Sequence, residues 1–126
     1  MKFAIHALLA SLLLATATPL LAADCAPQAG AKTFANKCAM CHVTAAGAPP
    51  TVGPNLHGVV GRAIGKEAGF AYSEALTATD GPWSEARLDQ FLTAPQQAFP
   101  GTAMPFAGLK SPAERQQLLC YLNSLN

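Results

Sequence analysis

Charge is scarce in this chain. Only 12% of the 126 residues are Asp, Glu, Lys or Arg, and the net charge is +1. With Lys2 set aside, seven basic residues face seven acidic ones. No polybasic run offers itself to nucleic acid or to an anionic lipid surface, so gross charge does not select a partner. Long hydrophobic runs are missing too: the apolar stretch from about Ala7 to Ala17 falls short of the ~20 residues that cross a bilayer. Neither repeats nor low-complexity tracts interrupt the sequence. No Ser–His or paired-carboxylate constellation points to hydrolytic or acid–base chemistry. Soft and imidazole donors are few, with four cysteines, three histidines and three methionines, and the chemistry has to be sought there.

The opening stretch MKFAIHALLASLLLATATPLLAADC has a basic start, an apolar middle, a break at Pro19 and small residues at Ala22 and Ala23. That is the layout of a secretory signal peptide covering residues 1–23; an uncleaved membrane anchor is the alternative. Asp24 stands directly before Cys25 where a lipoprotein signal needs a small residue, which argues against lipidation. Residues 24–126 are then one domain of ordinary small size, exported to the periplasm. A core this modest is often reinforced by a disulfide, metal or cofactor.

All four cysteines, Cys25, Cys38, Cys41 and Cys120, lie beyond that signal. In an oxidising compartment idle thiols pair, so Cys38-Ala-Met-Cys41 is a disulfide, a metal site or a covalent attachment point. His42 separates these options. Two thiols spaced to add to the two vinyl groups of a porphyrin, with an imidazole beside them to reach its iron, form the C-x-x-C-H signature of c-type haem attachment. Zinc wants a second pair of close ligands, and Cys25 and Cys120 stand far apart. A thioredoxin-like dithiol wants a βαβ context that residues 38–41 lack. Both remain as alternatives.

For the opposite face of such an iron the candidates are few. Met1 and His6 leave with the signal, and Met40 lies between the two tethered cysteines. Met104 in FPGTAMPFAG and His57 in GPNLHG remain, both in loops rich in turn residues. Met104 is favoured, and His57 is expected on the surface.

KTFANKCAMCH, VGPNLHGVVGR, GFAYSEA, the single tryptophan in GPW, PGTAMPFAG and ERQQLLCYL together resemble the class I cytochromes c, in order and at compatible spacing over nearly all of residues 30–126. The resemblance implies an all-α fold of three to five helices wrapped around one covalently bound haem c, with the N- and C-terminal helices crossing. It implies thioether bonds from Cys38 and Cys41, and His42 and Met104 as the iron's axial ligands, a pairing that raises the reduction potential. Pro54 matches a proline whose carbonyl accepts the free imidazole N–H and orients the ring. Arg62, Tyr72, Trp83 and Thr102 match positions that donate hydrogen bonds around a buried propionate, which needs such partners.

Two residues depart from that pattern. Phe91 stands where mitochondrial members often have a tyrosine near the methionine sulfur, and Leu76 where they often have an asparagine beside an internal water. A drier distal pocket is the expectation.

The helix reading agrees with such a fold. Pro27 suits a first helical turn, predicting a helix to about Cys38 with Ala31, Phe34 and Ala35 on one face. Gly30 weakens that helix by ~1 kcal/mol, which close approach by another helix would compensate; the crossing that the resemblance implies makes Tyr121 the expected contact. Ser84 opens a second helix with Leu88, Phe91 and Leu92 buried at helical spacing. Ser111, Pro112 and Glu114 form a capping box for a third, with Leu118, Tyr121, Leu122 and Leu125 as its buried stripe. Residues 44–54 are a loop. Cys25 and Cys120 lie near the two helices expected to cross, and a disulfide between them is expected, with two free thiols as the alternative.

The expected function is that of a monomeric periplasmic carrier of single electrons. It would pass them between a dehydrogenase or quinol-oxidising complex and a terminal acceptor, without enzymatic turnover. Partners would dock at the exposed haem edge near Lys32, Lys37 and Lys110, with less electrostatic steering than in relatives with a full lysine ring. A haem enzyme or small-molecule sensor, should Met104 not reach the iron, and a dedicated haem subunit of one dehydrogenase are the other readings.

Overall fold

A computed structural model describes residues 24–126; the signal peptide expected at 1–23 lies outside these residues. Five helices follow in order: α1 (Pro27–Lys37), α2 (Glu74–Thr77), α3 (Glu85–Thr93), α4 (Pro95–Ala98) and α5 (Pro112–Asn123). Between them the chain runs as loops, with a single antiparallel bridge, Ala63 to Pro82, among the described residues. The architecture is all-α.

The long helices begin where local chemistry dictates. Pro27 and Pro112 occupy first-turn positions, where a missing N–H costs nothing and the fixed φ suits the helix. Ser84 Oγ accepts from the Arg87 N–H (3.2 Å), and Ser111 Oγ accepts from the Glu114 N–H (3.3 Å), each satisfying a donor that the helix leaves unpaired. The Glu114 carboxylate turns away to α1, where it accepts from Thr33 Oγ1 (3.4 Å) and lies 3.9 Å from Lys37 Nζ. The expected capping box is thus used on one side for the cap and on the other for helix–helix contact.

α1 and α5 cross at Gly30. A Cβ there would come within 2.6 Å of Tyr121 Cβ and would also strike the Gln117 carbonyl oxygen, so only glycine lets the backbones meet this closely. Gln117 holds the entry to α1 as well: its Oε1 accepts from the Ala26 N–H (2.7 Å) and its Nε2 donates to the Asp24 carbonyl (2.9 Å). Just before α1, Cys25 faces Cys120 on the flank of α5, with Cα atoms 5.6 Å apart.

Phe34, Leu88, Phe91, Leu92, Leu118 and Leu122 are buried together with Val59, Ile64, Leu76, Trp83 and Leu109. One expectation needs correction. Ala35 is exposed, because the buried row of α1 runs four residues apart through Gly30 and Phe34 toward Cys38 and leaves Ala35 at its edge. α1 ends at Lys37, in agreement with the expected end near Cys38, and Cys38 serves as its C-cap, donating its N–H to the Phe34 carbonyl (2.8 Å).

A charge also enters the stripe of α5. Arg115 is 8% exposed; its guanidinium pairs with Asp89 of α3 (2.7 Å) and donates to the carbonyls of Leu109 (2.8 Å) and Lys110 (3.2 Å). One side chain thereby joins α3, α5 and the segment between them. A buried guanidinium is tolerated only with such partners.

Candidate functional site

The CAMCH segment leaves α1 in a tight turn, with the His42 N–H donated back to the Cys38 carbonyl (2.9 Å). Cys38 and Cys41 are half-buried free thiols. Burial pushes the Cys38 thiol up to about 11, with nearby Lys37 opposing the rise. His42 points inward, and its Nδ1–H donates to the Pro54 carbonyl oxygen at 2.8 Å. A carbonyl can only accept, so Nδ1 carries the proton. Burial lowers the His42 pKa, against the Pro54 bond, which raises it. The ring is then neutral at pH 7, with the Nε2 lone pair available to a metal.

The loop that follows is tied tightly to this segment. The Gly53 N–H and Thr51 Oγ1 both donate to the Cys41 carbonyl (2.7 Å each). Buried Asn55 spans the loop, donating to the carbonyls of Ala45 (2.8 Å) and Ala48 (2.9 Å) and accepting from the His57 N–H (2.9 Å). The Gly53 backbone lies against the imidazole, and a Cβ there would sit 2.5 Å from His42 Cε1. Sequence reading passed over Gly53 and Asn55. His57 is exposed, its Nδ1 3.3 Å from the Thr44 carbonyl, and Met40 is 89% exposed.

Three of the residues matched to a propionate site come from separate segments and meet. The Gly61 N–H donates to the Trp83 carbonyl and the Trp83 N–H to the Arg62 carbonyl (2.8 Å each), which lays residues 61–64 along 81–83. Arg62 donates to the carbonyls of Asn55 (2.8 Å) and His57 (3.1 Å) and pairs with Glu67 (2.8 Å). A guanidinium with five N–H donors has capacity beyond these. Tyr72 stands beside it; burial raises the phenol's pKa, and Arg62 opposes the rise. Trp83 is buried against Phe91 and Phe99, at ring separations of 5.1 and 5.6 Å.

Thr102 joins this group through Phe99, whose carbonyl accepts its N–H (3.0 Å). Its buried hydroxyl has no hydrogen-bond partner, and neither has that of Ser73, next to Tyr72. Buried hydroxyls are rarely left unpaired. Two buried orphan hydroxyls, one following Tyr72 in sequence and the other tied through its backbone to Phe99, which packs on Trp83, fit an anionic group such as a propionate. Ser73 was missed in the sequence, where nothing distinguishes it from a surface serine.

Met104 lies half-buried against the core in an irregular segment between α4 and α5. Gln96 of α4 fixes this segment, donating to the Thr102 carbonyl (2.7 Å) and more weakly to that of Met104 (3.4 Å). Gln96, too, was not singled out in the sequence. The donor set is therefore an imidazole, a thioether and two adjacent thiols, with orphan hydroxyls and an arginine at one edge, and it suits an iron porphyrin. Among the described residues no three Cys, His, Asp or Glu side chains gather to hold a bare metal ion.

The family model for cytochrome c matches residues 27–126. The chain belongs to the cytochrome c family. It is 47% identical over 93 residues to cytochrome c of Chlamydomonas reinhardtii, covering 74% of this chain and 83% of that one. It is 45% identical over 97 residues to cytochrome c2 of Rhodoblastus acidophilus, covering 77% and 90%. Against cytochrome c of Ginkgo biloba the identity is 44% over 96 residues, covering 76% and 85%. The class I resemblance and the helical fold thus stand. As a cytochrome c, the protein is an electron carrier and not an enzyme, its cofactor is one covalently attached haem c with its iron, and it acts with redox partner proteins.

Proposed function

We propose that the protein is an exported, periplasmic carrier whose haem iron is held by His42 and Met104, with Cys38 and Cys41 as the thioether attachment points. The observation that carries this reading is the His42–Pro54 hydrogen bond, which fixes the proton on Nδ1 and aims a neutral Nε2 away from the loop. Bound haem supplies a reversible one-electron change between ferric and ferrous iron. Everything else is the chain's work. Met104 offers a soft thioether that favours the ferrous state. Arg62, Tyr72, Trp83, Thr102 and Ser73 neutralise and hydrogen-bond a propionate that is costly to bury alone. Phe91 and Leu76, both buried, place hydrocarbon where a hydroxyl and an amide could have held water. Held by both His42 and Met104, the iron would offer no open site to exchange ligands or substrates.

The sequence pattern of residues 1–23 supports export, and no helix among the described residues is long and apolar enough to cross a membrane. We infer a disulfide between Cys25 and Cys120, whose Cα separation of 5.6 Å lies in the range that such a bond spans; it would close the flank of the α1–α5 crossing. Docking at the haem edge would pass the electron to and from partners. The test is a Soret band that survives acid–acetone extraction in the wild type and becomes extractable in Cys38→Ala/Cys41→Ala, with reversible one-electron reduction of the attached form. Full extraction from the wild type would defeat the attachment reading.

A further inference from the structure

The segment that anchors the haem is unusually free of charge. None of the 24 residues between Lys37 and Arg62 is Lys, Arg, Asp or Glu. Within it, Met40 is 89% and Val52 72% exposed, the two large apolar side chains that stand out from the surface. Both are held close to the Cys41 backbone. Met40 lies between Cys38 and Cys41, and Val52 is the tip of a turn whose flanking residues, Thr51 and Gly53, both donate to the Cys41 carbonyl at 2.7 Å. Ala39, Ala45, Ala46, Pro49 and Thr51 complete an exposed, uncharged surface around them.

Two of the three expected docking lysines are engaged elsewhere. Lys37 lies 3.9 Å from Glu114, which offsets its charge. Lys110 Nζ donates to the Thr93 carbonyl (2.8 Å) and the Ala107 carbonyl (3.1 Å), so it serves the C-terminal end of α3, where a cation is favoured.

We propose that the face built on Met40 and Val52 is the electron-transfer docking surface, and that it fits a redox protein whose own docking face is uncharged and apolar. The inference rests on the carrier reading above. Charge complementarity selects the partner: a strongly charged face would lose hydration here and gain no counter-charge, whereas two apolar faces gain by leaving water. Met40 is well suited to such contact, being flexible and polarisable. Its position between the two attachment cysteines would bring that contact close to the haem they hold.

A second copy of the chain presents the required chemistry and serves as the probe. Electron self-exchange between ferric and ferrous holoprotein is measured by NMR line broadening at low and high ionic strength. Met40→Lys and Val52→Lys place like charges opposite each other and should slow exchange about tenfold at low ionic strength, with salt restoring it. Met40→Ala should slow it severalfold at every ionic strength. Asn123→Lys adds the same charge on the last turn of α5 and should stay within about twofold of wild type. Equal rates in Met40→Lys and Asn123→Lys would overturn the docking face while leaving the carrier intact. A wild type whose haem cannot be cycled between ferric and ferrous would instead overturn the carrier reading.

Discussion

Gly30 of α1 faces Tyr121 of α5 so closely that a methyl group on the glycine would come within 2.6 Å of the tyrosine Cβ. Helix propensity alone makes Gly30→Ala stabilising by about 1 kcal/mol. Overpacking at the crossing predicts the opposite sign, a loss of about 1–3 kcal/mol. Denaturant unfolding of the holoprotein reads the sign directly.

Thr102 offers a second test by sign. In Thr102→Val the shape is nearly kept and a hydroxyl is lost. If that hydroxyl serves only the protein, it is an orphan, and its removal is neutral or stabilising. If it donates to a buried propionate, holoprotein stability falls by about 1–3 kcal/mol and the reduction potential shifts. Ser73→Ala should move in the same direction.

The proposed Cys25–Cys120 bond would close a segment with a sequence separation of 95. Chain entropy sets its contribution at up to about 4–5 kcal/mol, and native disulfides commonly give 2–5 kcal/mol. Cys25→Ser/Cys120→Ser should lower holoprotein stability by at least about 2 kcal/mol while leaving the visible spectrum unchanged. Alkylation of both cysteines without reductant would remove the basis for this expectation.

Tyr72 gives a pH dependence with a definite sign. Burial raises its pKa in the folded protein, so the folded state holds the phenolic proton more tightly than the unfolded chain does. The contribution is fully present below the ordinary tyrosine value of about 10 and is lost as pH rises through the folded value. Tyr72→Phe should flatten the stability profile in that alkaline window. A profile of unchanged slope would contradict the assignment.

The sequence made α1, α3 and α5 legible because caps and first-turn prolines mark their starts and apolar spacing marks their faces. α2 and α4 span four residues each, too short for any periodicity to register. Arg115 was unreadable as a buried residue because its burial depends on Asp89, 26 positions away. The attachment segment was readable since C-x-x-C-H is a local pattern, and His42–Pro54 followed from the family resemblance. Asn55, Gln96 and Ser73 act through loop carbonyls or an orphan hydroxyl, and such roles become visible only once distant segments have been brought together.

At the centre of this account is the proposal that His42 and Met104 together would hold the haem iron. The most direct measurement is the methionine–iron charge-transfer absorption of the ferric protein, read with carbon monoxide binding to the ferrous form. The account predicts the band in the wild type with no carbon monoxide uptake, and loss of the band with rapid uptake in Met104→Ala. A wild type that lacks the band and binds carbon monoxide as readily as Met104→Ala would contradict it.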